Sequence, residues 1–185
     1  MAYLRIVLAT LLAIIALPAA AQELRIDSAH GTIDFAVGDS VFFRTAGVFK
    51  RWQGSMRIDE NNIPGSTVKV TIDADSVETR DAAQNEQLRG PDFFDVQKFP
   101  TFSFSSTQVV RTGPHTLRVT GNVILRGVTR PMVLDVDVQQ QRQGEVVSAR
   151  FVARGRIDRT AFGMTKFTDM TGNNVDLTIR AEAVR

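Results

Sequence analysis

The sequence predicts an all-β protein built from long antiparallel strands. Three observations carry that expectation. Apolar and polar residues alternate with period two through most of the chain, as they do in strands with one buried face. The alternating runs are separated by short clusters of Gly, Pro and Asn, the residues of turns. One stretch alone reads as a helix.

The order of elements begins with a leader. "MAYLR" carries one positive charge, Arg5, and is followed by the apolar run "IVLATLLAIIAL", then Pro18 and an A-x-A arrangement at Ala19 and Ala21. This is the pattern of a secretory signal peptide, residues 1–21, with cleavage expected before Gln22. The apolar run is short for a bilayer span, which takes about 20 residues. No lasting membrane anchor is expected after cleavage, and residues 22–185 form one domain.

Within that domain, "TIDFAVG" sets Ile33, Phe35 and Val37 on one face, and "STVKVTIDAD" does the same with Val68, Val70 and Ile72. Phe49 and Trp52 precede Gly54, where a strand is expected to bend. "ETRDAAQNEQLRG" changes period; Asp81–Leu88 reads as a short helix, with Thr79 or Asp81 at its N-cap and Gly90 beyond its end. "GPDFFDVQKFPTFSF" then concentrates Phe93, Phe94, Phe99, Phe102 and Phe104 around Pro91 and Pro100. After Pro100 the period is two again. Phe102 and Phe104 therefore read as an inward strand face, and Phe93, Phe94 and Phe99 as rings that dock the irregular segment.

Four long runs follow. Leu117, Val119, Gly121, Val123 and Leu125 share one face, as do Met132, Leu134, Val136 and Val138. Phe151, Ala153, Gly155 and Ile157 form a third set, and Val175, Leu177, Ile179, Ala181 and Ala183 a fourth. The short turns at Thr112–His115 and Arg142–Gly144 make their flanking strands hairpin neighbours. Arg159–Asn173 has no clean period. Strands of this kind close into a barrel or pair as two sheets in a sandwich. The small inward residues, Gly121, Ala153, Gly155, Ala181 and Ala183, either tighten the coil or leave room inside. A barrel of about eight strands is wide enough to be filled or to hold one small ligand.

Composition removes several function classes. There is no cysteine, which excludes thiol catalysis, iron–sulfur clusters and cysteine zinc sites. The whole chain has 22 basic and 20 acidic residues, and the leader takes Arg5 with it, so no strong field favours nucleic acid. The two histidines, His30 and His115, have no ligand neighbours at metal-binding spacing, and two cannot make a histidine zinc site. Asp92 with Asp95, and Asp73 with Asp75, could in principle serve as paired acids. Capping and turn formation explain them more simply. No nucleophile elbow, P-loop or dinucleotide fingerprint occurs.

The segments "LRIDSAHGTIDFAV", "GVFKRWQGSMRID", "STVKVTIDADSVET", "NEQLRGPDFFDVQKFPTFSFSS", "LRVTGNVILRGVTRPMVLDV" and "DRTAFGM" occur in that order. Together they resemble the YceI-like family of bacterial proteins, over Leu24 to Val184. "LRGPDFFDVQKFP" and "GVTRP" are the most specific, because they join fixed residue types across irregular backbone. The resemblance implies an extended, lipocalin-like antiparallel β-barrel of about eight strands with a short helix, exported to the periplasm. It implies a ligand such as a polyisoprenoid or prenyl quinone inside the barrel, no catalysis, and no metal or other cofactor. Nucleic acid is not an expected partner, and homodimerisation is left open. The chain departs from the family in "VGDSVFF" (Val37–Phe43), where a histidine is common. It departs again in the Asn-Arg-x-Asp-Phe-Gly pattern, where Asp158 and Ala161 replace Asn and Asp around Arg159, Phe162 and Gly163.

On this reading the ligand-binding wall is the inward strand set. It comprises Phe35, Val37, Val70 and Ile72 from the first half, then Phe102, Phe104, Val119 and Val123. Leu134, Val136, Phe151 and Leu177 complete it. Phe93, Phe94, Phe162 and Met164 are expected to close an end. The competing readings are an interaction module with a filled core and an enzyme acting on an amphiphile. The enzyme would require a polar group such as Arg159 or Asp92 at the cavity.

Overall fold

The structure is a computed structural model that describes residues 22–38, 44–59, 62–143 and 146–183. The leader, most of "VGDSVFF" and Gly144 of the Arg142–Gly144 turn lie outside the described residues. The described chain forms one antiparallel sheet of eleven strands, more than the eight expected. They are β1 (Gln22–Asp27), β2 (Gly31–Val37), β3 (Thr45–Phe49), β4 (Trp52–Ile58), β5 (Thr67–Asp73) and β6 (Val77–Thr79), followed by β7 (Thr101–Gly113), β8 (Thr116–Leu125), β9 (Val128–Gln143), β10 (Val146–Asp158) and β11 (Asn174–Ala183). The surplus lies in β1, β3 and β6, three to six residues each, too short for an alternation to stand out.

The order β1-β4-β5-β7-β8-β9-β10-β11-β2-β3-β6 explains the curl of the sheet. β1 pairs with β4 at one edge, whereas β2 pairs with β11 and β3 near the other. Only residues 28–30 separate β1 from β2, so the sheet must bend round until its two flanks approach. The corner is fixed on both sides: Ser28 N–H donates to Trp52 O (3.1 Å), and Glu182 N–H donates to His30 O (2.8 Å). Asp27 makes the turn, its Oδ1 accepting from Ala29 N–H and His30 N–H and meeting His30 Nδ1 at 2.9 Å. The hydrogen bond to His30 is the main reason the Asp27 carboxyl lies below its ordinary pKa.

The two faces differ as the alternation requires. The outward face carries a ladder of cross-strand ion pairs: Arg118–Asp135, Arg154–Asp137, Arg156–Asp176, Arg150–Glu182 and Arg180–Asp34, at 2.6–3.2 Å. These pairs are exposed and each contributes less than about 1 kcal/mol. Their main effect is on register, because a slip of one residue would turn the arginines inward. The inward face is the hydrophobic core.

The expected helix is α1 (Ala82–Arg89). Asp81 is the N-cap, accepting from Ala83 N–H (2.8 Å) and Gln84 N–H (3.4 Å), and Gly90 closes the C-terminus by donating to Glu86 O and Gln87 O. The aperiodic stretch after β10 folds as a 3-10 turn (Arg159–Phe162) and a four-residue helix, α2 (Thr168–Thr171). Asp158 caps the turn through Thr160 N–H and Oγ1 at 2.9 and 2.7 Å. Asp and Asn cap about equally well, so the departure from the family pattern at this position keeps the turn.

Candidate functional site

The concave side of the sheet encloses a cavity of about 340 Å³. Its wall takes residues from β1–β5 and β7–β11, and its lining is apolar except for Thr45, Gln84, Gln87, Ser103, Arg159 and Thr171. One side is a cluster of rings. Phe49 lies 5.5 Å from Phe35, 5.7 Å from Phe94 and 5.9 Å from Phe102, and Phe94 meets Phe102 edge-on at 5.1 Å. The expected division of the rings at Pro100 therefore fails at Phe94, which packs with Phe102. Phe93 and Phe94 both border the cavity. Phe99 does stand apart, against Gly127 in the β8–β9 turn.

Small inward residues do not simply leave space. A Cβ on Gly121 would lie 2.5 Å from the Phe104 ring, and one on Gly47 would lie 2.7 Å from the Phe35 ring. Each glycine admits the ring of a neighbouring strand close against its backbone. The rings then form the wall, and the cavity is what remains between them.

The polar lining collects at one end. Thr45, Val37, Val175 and Ile157 occupy a single rung across β3, β2, β11 and β10, so Arg159, two residues beyond Ile157, lies close to the level of Thr45. Over that end α1 brings Gln84, whose Nε2 donates to Thr45 Oγ1 at 3.0 Å, and Gln87. The 159–172 connection supplies the rest. Phe167 stacks on Phe93 at 6.3 Å, and Met170 is 57% exposed at the rim. Phe167 has φ 56°, a left-handed conformation unusual for a bulky residue.

Arg159 organises this connection. It is 4% exposed, and its guanidinium donates to Gly172 O (2.9 Å), Met164 O (3.0 Å), Lys166 O (2.7 Å) and Thr171 Oγ1 (3.1 Å). Burial lowers its pKa from the ordinary guanidinium value. It borders the cavity, as the enzyme reading requires, but its donors are directed at the loop. Asp92 is not on the wall and faces Lys166 at 3.9 Å. Among the described residues no group of His, Asp or Glu comes together in a way that could hold a metal ion.

Of the residues expected at the wall, Phe35, Val37, Val70, Ile72, Phe93, Phe94, Phe102, Phe104, Val119, Val123, Leu134, Val136, Phe151, Met164 and Leu177 all line the cavity. Phe162 does not. It is 3% exposed in the 3-10 turn, and the reversal at Gly163 (φ 80°) brings Met164 to the wall instead. Sequence reading missed Phe49, Gln84, Gln87, Phe167 and Met170. Phe49 belongs to a short strand. The other four belong to α1, α2 and the loop before α2, where period two carries no information about which way a side chain faces.

The model of the YceI-like domain family matches residues 24–183. The chain belongs to the YceI-like family. Protein YceI of Salmonella newport (strain SL254) is 33% identical over 171 residues, 90% of this chain and 89% of that protein, and the Salmonella arizonae protein is as similar. Among solved structures, Burkholderia cenocepacia BcnA superposes with a TM-score of 0.77 at 24% identity, over 86% of this chain and 99% of that one. A polyisoprenoid binding domain from Saccharophagus degradans, implicated in plant cell wall breakdown, superposes with a TM-score of 0.62 at 14% identity, over 89% and 98%. At these identities the two structures establish the YceI fold: an all-β, curled, barrel-like antiparallel sheet with short helices.

Proposed function

We propose that this YceI-like protein is a non-catalytic carrier that holds a long apolar amphiphile, a polyisoprenoid or prenyl quinone, inside a lipocalin-like barrel. The observation that carries the reading is the 340 Å³ cavity with an apolar wall and polar groups at one end. A chain with one polar head fits that polarity. Each CH₂-sized group taken from water contributes about 0.8 kcal/mol, so a few isoprene units outweigh the cost of ordering a flexible tail. The Saccharophagus domain, described as polyisoprenoid binding, supports the choice of tail. A void of this size disfavours an interaction module with a filled core. The commitment of Arg159 to the loop disfavours an enzyme, since among the described residues no reactive group accompanies it on the wall. Residues 1–21 are proposed as a signal peptide that sends the remaining domain to the periplasm.

Val123→Trp tests the reading. Val123 is a half-buried part of the wall, and an indole there would fill space without removing a core contact. The variant should fold and lose uptake of a prenyl lipid by at least about tenfold, the scale of two or more lost CH₂ contacts. Unchanged uptake by a folded variant would place the ligand elsewhere. Phe104→Trp is the poorer test, because the Phe104 ring already abuts Gly121.

A further inference from the structure

Building on the carrier reading, we infer that the mouth of the cavity selects an uncharged, hydrogen-bonding headgroup and rejects a phosphorylated one. The polar mouth groups are hydroxyls and carboxamides: Thr45, Gln84, Gln87 and Thr171. Gln84 and Gln87 are three apart on α1 and share a face. One Gln84 Nε2 hydrogen goes to Thr45 Oγ1, which leaves the second Nε2 hydrogen and the Thr45 hydroxyl as donors and the Gln84 carbonyl as an acceptor. Thr45, Gln84 and Gln87 match a hydroxyl or carbonyl oxygen on the ligand, while Thr171 Oγ1 already donates to Phe167 O and accepts from Arg159.

The cation at the mouth does not oppose this. Arg159 is the one charged residue among the described residues that line the cavity. Arginine captures phosphate through two parallel N–H groups, drawn either from both Nη atoms or from Nε and one Nη. Here Nε bonds Gly172 O, both Nη1 hydrogens bond Met164 O and Lys166 O, and Nη2 bonds Thr171 Oγ1. Either bidentate pair would have to break a bond that holds the 164–172 loop. No other charged residue among the described lining offsets the desolvation of a phosphate, which is large when a charge is not paired.

The test is displacement of the neutral fluorescent probe N-phenyl-1-naphthylamine by three ligands of one tail type: geranylgeraniol, geranylgeranyl phosphate and the hydrocarbon phytane. The alcohol should bind about tenfold more tightly than the phosphate, with phytane between them, as expected for one hydrogen bond gained against one charge desolvated. Gln84→Leu with Gln87→Leu should weaken the alcohol by about three- to tenfold and leave phytane unchanged, and the retained phytane binding shows an intact cavity. Phosphate binding as tight as the alcohol, or equal loss of alcohol and phytane in the double variant, overturns the headgroup inference and leaves the carrier reading standing. Failure of all three ligands to displace the probe overturns both.

Discussion

Arg159 shows how one side chain can decide the shape of a loop. Four acceptors converge on it, three of them backbone carbonyls from Met164, Lys166 and Gly172. Arg159→Met would leave those acceptors without a donor, and each buried orphan costs about 1–3 kcal/mol. Allowing for water that reaches the loop, we expect a loss of about 3 kcal/mol in urea denaturation, within the range of a broken buried network. Arg159→Lys should recover little, since an ammonium lacks the planar fork. Asp158 offers a prediction in pH. Its carboxyl lies below the ordinary value, chiefly through the hydrogen bond from the Thr160 side chain and then through Thr160 N–H. A depressed folded-state pKa gives stability that is present above the unfolded pKa and is lost as pH falls through the folded one. The thermal midpoints of the wild type and Asp158→Ala should therefore differ at neutral pH and converge in acid. A constant gap at all pH values would contradict the assignment.

At the scale of elements, the pairing of inward glycines with rings makes a sharp prediction. A methyl at Gly121 meets both the Phe104 ring and Ser105 O at 2.5 Å. Gly121→Ala should cost about 1–3 kcal/mol by overpacking. Phe104→Leu in that background should cost less than the two changes measured separately, because the leucine yields space to the new methyl. Simple additivity would show that the backbone contact, not the ring, sets the cost. These pairs also show where sequence reading succeeds and where it stops. Alternation places Leu117, Val119, Gly121, Val123 and Leu125 on one face, and all five point inward in β8, four of them buried. It could not say that Phe104 would occupy the space above Gly121, since that depends on register between strands. It also took the change of period at Pro100 as a division between two groups of rings. The turn after α1 brings Phe94 back onto Phe102, a tertiary contact that no local period encodes. The helix was readable because Asp81 and Gly90 punctuate it, whereas the inward turn of Gln84 and Gln87 depends on where α1 docks.

For the whole molecule, the topology and the cavity belong together. A chain that pairs β1 at one flank and β2 near the other curls its sheet round a shared interior. Rings laid over glycines thicken part of that wall, and the remaining space stays apolar with its polar end under α1 and the Arg159 loop. A ligand that binds only this folded form must stabilise it, by about 2.7 kcal/mol when free ligand is a hundredfold above Kd. Geranylgeraniol should therefore raise the melting temperature of the wild type and leave Val123→Trp unmoved. The most direct measurement is mass spectrometry of what organic solvent releases from the protein purified from its own cells. A lipid with a prenyl tail and an uncharged head should be recovered from the wild type and be missing from Val123→Trp. Repeated extractions that release no prenyl lipid, from protein that also fails to take one up from vesicles, would contradict it.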